Sequence, residues 1–210
     1  MLYWKQFQEE QQRKKIFRDR RKNIKNLNFG IVSNNCWGGE IYKYYDLPFS
    51  SPFIGLFMYP GCYLKLLENW TNIDLQNIKI GHFSEQTQST FVYPVGVLEY
   101  GIEIHFLHYN SLEEAESKWK RRAKRLKETV PFDRIFVRFC DRDEAAEDHF
   151  HRFYNLPFRH KISYSARPLP FKNNHTTITE EANPIQADDG VKVFWHELEA
   201  GFDLAGWLNE

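Results

Sequence analysis

The chain has 210 residues, 42% of them apolar and 17% aromatic, which suits one domain with a substantial core. Its 28 basic and 28 acidic residues cancel, so charge gives no reason to expect a nucleic-acid partner. No stretch approaches the roughly twenty apolar residues of a membrane span. The N-terminus is charged from Lys5 onward and lacks the apolar run of a signal peptide. Cys36, Cys62 and Cys140 form neither a CxxC nor a disulfide framework, so a cytoplasmic protein is expected.

Residues 1–26 hold nine Lys/Arg against three Asp/Glu and contain no Gly or Pro. They read as a basic helical arm ahead of a single domain over 27–210. Tyr3, Phe7, Ile16 and Phe17 make a thin apolar stripe. The arm therefore reads as a solvated helix leaning on the domain, with peripheral contact to an anionic membrane as the alternative. Phe29 to Ser33 is a strand, followed by a polar loop with Gly38-Gly39 and a short helix over 40–45. Ser50 to Pro60 is apolar but bounded by prolines, as in a buried connection. Residues 60–70 read as a helix, and 78–83 and 91–98 as edge or antiparallel strands, the second interrupted by Pro94.

Ile102 to Tyr109 reads as a strong strand. Ser111 with Glu114 three residues on is a capping box opening a helix over 112–127. Leu112, Ala115, Trp119, Ala123 and Leu126 would turn inward. Residues 134–140 make another strand, and 141–144 open a further helix. Strands at 159–165 and 191–196, a polar loop around 172–189 and a helix near 202–208 complete the chain. The alternation predicts an α/β fold: a three-layer sandwich on a mixed, partly parallel sheet. Strands 29–33, 102–108 and 134–140 are expected to lie parallel in that sheet.

If they do, three loops meet at its carboxyl edge, the usual ligand position in open sheets. Ser33, Asn34 and Asn35 would bond a ligand there, while Gly38 and Gly39 admit it to a helix start. The competing reading is a helix cap in which these side chains bond their own backbone. Trp37 and Tyr109 would supply apolar walls. His108, at the strand's end, is the acid/base candidate, whereas His105 belongs in the core. Arg122 is an anion-binding candidate, although the helix dipole alone explains most bases on its helix. Asp141-Arg142-Asp143 is similar to the DxD of metal-dependent glycosyltransferases. Asp141 would be catalytic or polarising, and with Asp143 would hold Mg or Mn. Cys36, near a helix start, is a candidate nucleophile, with no His beside it in sequence.

Ser33-Asn34-Asn35-Cys36-Trp37-Gly38-Gly39-Glu40-Ile41-Tyr42 resembles the signature of an uncharacterised bacterial domain-of-unknown-function family, often labelled exopolysaccharide biosynthesis proteins. Ser51-Pro52-Phe53-Ile54-Gly55-Leu56-Phe57 also resembles its pattern, as do His108-Tyr109 through Arg125 and the Asp141-Arg142-Asp143 that follows. The resemblance covers about residues 1–165. It implies a three-layer α/β fold and a place in surface-polysaccharide assembly, without supplying an activity or catalytic residues. Two expectations follow: an enzyme, such as a transferase, acting on a sugar or nucleotide sugar, or a non-catalytic glycan-binding or assembly module.

Overall fold

In the computed structural model, residues 2–171, 174–177 and 190–210 are described, with side chains from residue 11 onward. Seven strands and seven α-helices are present among them. In chain order they are α1 (Leu2–Arg21), β1 (Gly30–Ser33), α2 (Trp37–Tyr44), α3 (Pro60–Glu68), β2 (Lys79–Ser84), β3 (Ser89–Leu98) and β4 (Ile102–His105). Then come α4 (Leu112–Thr129), β5 (Ile135–Cys140), α5 (Glu147–Asn155), β6 (His160–Ser165), β7 (His175–Thr177), α6 (Gly190–Glu199) and α7 (Leu204–Asn209).

The fold is α/β. One sheet has the order β1-β5-β6-β7 and is wholly parallel, while β2-β3-β4 form a separate antiparallel sheet. The first sheet is apolar on both faces, as covered parallel sheets are. Along β5 the side chains alternate between two cores. Ile135, Val137 and Phe139 join a core with α3, α4, α5 and the β3-β4 ribbon, whereas Phe136 and Cys140 join one with α2, α6 and α7. Helices thus lie on both sides of the parallel sheet, giving three layers.

The expected parallel placement of 102–108 is overturned. β4 runs antiparallel beside β3, with Val95 opposite His105 and Leu98 opposite Ile102. Only three residues, Glu99 to Gly101, join it to β3, too few for the crossover that a parallel neighbour requires. The two sheets are joined instead by residues 54–58. Met58 N–H donates to the Asn34 carbonyl at 2.9 Å, and Phe57 and His105 exchange backbone bonds of 2.9 Å each. Pro52 and Pro60 confine this buried connection. Ser51 Oγ anchors it on the Ile31 carbonyl at 2.5 Å.

Two further elements differ from expectation. Residues 191–196 are helical, because Gly190, Val193, Phe194 and Glu197 are buried at spacings of three and four. The Val-Lys-Val alternation that suggested a strand is overridden by packing on α2. Residues 141–144 form a turn, with Asp143 and Glu144 both at positive φ, and α5 starts only at Glu147. The strand expected over 102–109 ends at His105, and the helix expected over 40–45 starts at Trp37; the other elements fall where expected. α4 is capped at Ser111, whose Oγ accepts from Glu114 N–H at 3.1 Å, and Trp119 is fully buried.

The arm is α1, exposed along most of residues 11–19. Its end is tied to the domain by Arg20, which donates to the Tyr44 carbonyl at 3.0 Å and lies 3.9 Å over the Tyr44 ring. Among the described residues no helix is long and apolar enough to cross a membrane. The expected polar loop contains β7, while residues 172–173 and 178–189 of it lie outside the described residues.

Candidate functional site

The turn after β1 is a cap built from side chains. Ser33 Oγ donates to the Asn35 carbonyl at 2.7 Å and accepts from Gly38 N–H at 3.1 Å. Asn35 Oδ1 accepts from Trp37 N–H at 3.1 Å, and Gly39 N–H donates to the Cys36 carbonyl at 3.0 Å. The first amides of α2 are therefore occupied, and Gly38 and Gly39 sit inside its first turn. Asn34 reaches sideways to β5: its Oδ1 accepts from Cys140 N–H at 3.2 Å and its Nδ2 donates to the Cys140 carbonyl at 3.4 Å. Asn35 Nδ2 donates to Cys140 Sγ at 3.1 Å. Ser33, Asn34, Asn35, Trp37 and Gly38 are all buried here. A Cβ on Gly190 would lie 2.5 Å from Trp37 N, so the start of α6 sits directly on this cap.

Beside the cap a cleft of about 310 Å³ opens between α2, α4 and residues 54–55. It is lined by Cys36, Gly39, Glu40, Lys43, Ile54, Gly55, His108, Tyr109, Lys118, Arg122 and Val191. Gly39, His108 and Arg122 are thus brought together, while the buried cap residues lie outside its lining. His108 arrives through the connection between the sheets, its backbone N–H donating to the Gly55 carbonyl at 3.2 Å. Gly55 has a φ of +69°, and a Cβ there would stand 3.3 Å from that of His108.

Arg122 is held rigidly. Its Nη1 donates to Tyr109 Oη at 2.8 Å, Tyr109 Oη donates to the Ile54 carbonyl at 2.7 Å, and its guanidinium lies 4.8 Å from the Phe49 ring centre. Burial pushes the Tyr109 hydroxyl pKa above its usual value, against the pull of Arg122. Lys118 pairs with Glu114, and Lys43 with Glu40 at 2.6 Å. Three cations against two paired carboxylates leave an excess of one positive charge around the cleft.

Asp141 and Asp143 lie apart from that lining. Asp141 is buried, its Oδ2 accepting from Ala166 N–H at 2.9 Å. Arg142 Nε is 3.6 Å from Asp143 Oδ1, and burial raises the Asp143 carboxyl pKa. Among the described residues no group of three or more His, Cys, Asp or Glu is arranged to hold a metal. The turn instead faces Tyr59 and Tyr93, whose hydroxyl pKa values are raised first by burial and then by nearby charge, including that of Asp143. Those rings, with Phe57 and Phe91, enclose the buried imidazole of His105 at centroid distances from 4.5 to 5.8 Å.

On the opposite core face, Arg138 is fully buried. Its Nη2 donates to Glu197 Oε1 at 3.1 Å and its guanidinium stands 4.6 Å from the Trp37 ring. Trp37 Nε1 donates to Glu197 Oε2 at 2.5 Å. The signal was present in the sequence, because an arginine inside Ile135-Phe136-Val137-Arg138-Phe139-Cys140 requires a buried counter-ion. Trp37 therefore belongs to this network. Lys43 and Gly55 had no such signal, since only the packing of α2 against residues 54–55 brings them to the cleft.

The sequence pattern of a domain of unknown function, DUF1919, matches residues 7–209. The chain belongs to that family. Its match includes residues 166–209, beyond where the signature resemblance stops, so the α6–α7 tail that covers the cap is part of the family domain. An uncharacterized protein of Haemophilus influenzae is 34% identical over 195 residues, covering 91% of this chain and 82% of the relative.

Proposed function

We propose that this DUF1919 protein binds an anionic sugar, a nucleotide sugar or sugar phosphate, in the His108 cleft during bacterial surface or exopolysaccharide synthesis. The carrying observation is the convergence of Lys43, Lys118 and Arg122 on one recess beside His108. The guanidinium of Arg122 is oriented by Tyr109 and Phe49, and such a fixed planar donor suits phosphate oxygens. Lys43 and Lys118 keep side-chain exposures of 63% and 38%, so both can exchange their carboxylate partners for a ligand. His108 is exposed at the rim and would serve as acid or base in a transferase reaction. A divalent Mg or Mn would enter the cleft with the phosphates, away from the Asp141-Arg142-Asp143 turn. Contact of α1 with an anionic membrane would bring the domain to lipid-linked acceptors.

The glycan-binding alternative rests on Phe57, Tyr59, Phe91 and Tyr93, which form a half-buried aromatic cluster next to the acidic turn. Rings beside carboxylates suit sugar faces and hydroxyls. Thermal shift and calorimetry with uridine-diphosphate sugars, free oligosaccharides, and Mg or Mn separate the two. The proposed function predicts stabilisation by the nucleotide sugar that is lost in Arg122→Gln. Stabilisation by free oligosaccharide alone, unaffected by Arg122→Gln and lost in Tyr59→Ala, refutes it and supports the alternative.

A further inference from the structure

The cleft holds a group that phosphate binding leaves unused. Cys36 lies at its wall, half-exposed, whereas Cys62 is 7% exposed and Cys140 is fully buried. Cys36 immediately precedes α2, and its thiol donates to the Leu56 carbonyl at 3.7 Å. The next residue back, Gly55, carries the carbonyl that receives His108 N–H at 3.2 Å. Two adjacent residues of one strand-like connection therefore seat the thiol and the histidine in the same recess. The absence of a side chain on Gly55 lets the histidine stand there. Lys43, Lys118 and Arg122 supply positive charge to the same recess, as does the start of the helix.

We propose that Cys36 is the covalent nucleophile of this cleft, with His108 as its proton acceptor, and that it takes an acyl group from a phosphate-bearing donor such as an acyl phosphate. In the first half-reaction Cys36 Sγ gives its proton to His108 and bonds to the carbonyl carbon. The carbon–oxygen bond to phosphate breaks, and the leaving phosphate takes the proton from His108. In the second half-reaction an acceptor hydroxyl, such as that of a sugar, loses its proton to His108 and attacks the thioester. The carbon–sulfur bond breaks and the proton returns to Cys36. The sum is acyl phosphate plus alcohol giving ester plus phosphate, with no redox change. Arg122 and the lysines hold the donor's phosphate. In that one respect the inference rests on the anion-binding reading above.

The test uses the full chain and acetyl phosphate, read by peptide mass spectrometry. A hydroxylamine-labile acetyl group is expected on Cys36 and neither on Cys62 nor on Cys140. It disappears in Cys36→Ser. Its formation slows by roughly a hundredfold in His108→Gln and His108→Asn, which keep the wild-type melting temperature because His108 is exposed. Lys118→Gln raises the acetyl phosphate concentration needed for half-maximal labelling. No label on Cys36, or a label forming equally fast in both His108 variants, overturns the assignment. Labelling without nucleotide-sugar binding refutes the sugar ligand and keeps the nucleophile. Binding without labelling does the reverse.

Discussion

Replacing Asn34 with Ala tests whether the most prominent polar residue of the signature is a ligand contact or a structural clamp. Asn34 is fully buried, and both ends of its amide bond the backbone of Cys140. Truncation strands one N–H and one carbonyl at the end of β5 without water to replace the lost partner. A buried polar group left unpaired costs about 1–3 kcal/mol. The 3.2 Å contact from Cys140 N–H is the stronger, and the 3.4 Å contact to its carbonyl is weak, since a carbonyl tolerates a lost partner better. The expected loss is therefore about 2–4 kcal/mol. In a domain of this size each kcal/mol lowers Tm by about 2–4 °C, so Asn34→Ala should melt roughly 10 °C below the wild type. Asn34→Asp is the control, because it keeps the acceptor for Cys140 N–H but turns an oxygen toward the Cys140 carbonyl. It should be destabilised near neutral pH and recover partly in acid, where protonation restores a donor. Calorimetric melts of the three proteins decide the matter. An Asn34→Ala variant that melts within about 2 °C of the wild type and has lost ligand binding would refute the clamp and return Asn34 to the binding site.

Two further outcomes follow from the same structure. His105 is fully buried among aromatic rings, and neither ring nitrogen has a hydrogen-bond partner among the described residues. His105→Phe should therefore stabilise the fold by about 1 kcal/mol, measured by denaturant unfolding. Burial holds the His105 pKa below 6.5, with the Glu103 carboxylate pulling it back up, so the native imidazole stays neutral where the unfolded one charges. Its contribution is complete above pH 6.5 and is lost as pH falls toward the lower native pKa. The phenylalanine variant should lose that acid-side slope, and an unchanged slope would show another group responsible. Deleting residues 1–19 should leave a cooperative melt with Tm shifted by only a few degrees, since Arg20, Arg21 and Ile24 carry anchoring contacts among the described residues. An insoluble product, or a Tm lowered by tens of degrees, would make α1 part of the core.

Local order was legible wherever one stretch of chain carries its own physical reason. Ser111 and Glu114 cap α4 by short-range hydrogen bonds, and the three- and four-residue spacing of its apolar face buries Trp119 on any sheet it meets. Pro60 at the start of α3, and the apolar runs of β1 and β5, likewise need no distant partner to be recognised. The capping alternative for Ser33 and Asn35 was readable too, because their bonds reach only two to five residues along the chain. What needed the tertiary structure were the long-range choices. Whether 102–105 joins the parallel sheet or the β2-β3 hairpin depends on a pairing that periodicity cannot express, since a strand alternates identically in either setting. Residues 191–196 became helical because α2 and Trp37 offer a surface for Val193, Phe194 and Glu197. The cleft belongs to this second group. Cys36 and His108 are separated by 71 intervening residues, and only the bonds of Gly55 and Leu56 to both bring a thiol, an imidazole and three cations into one recess.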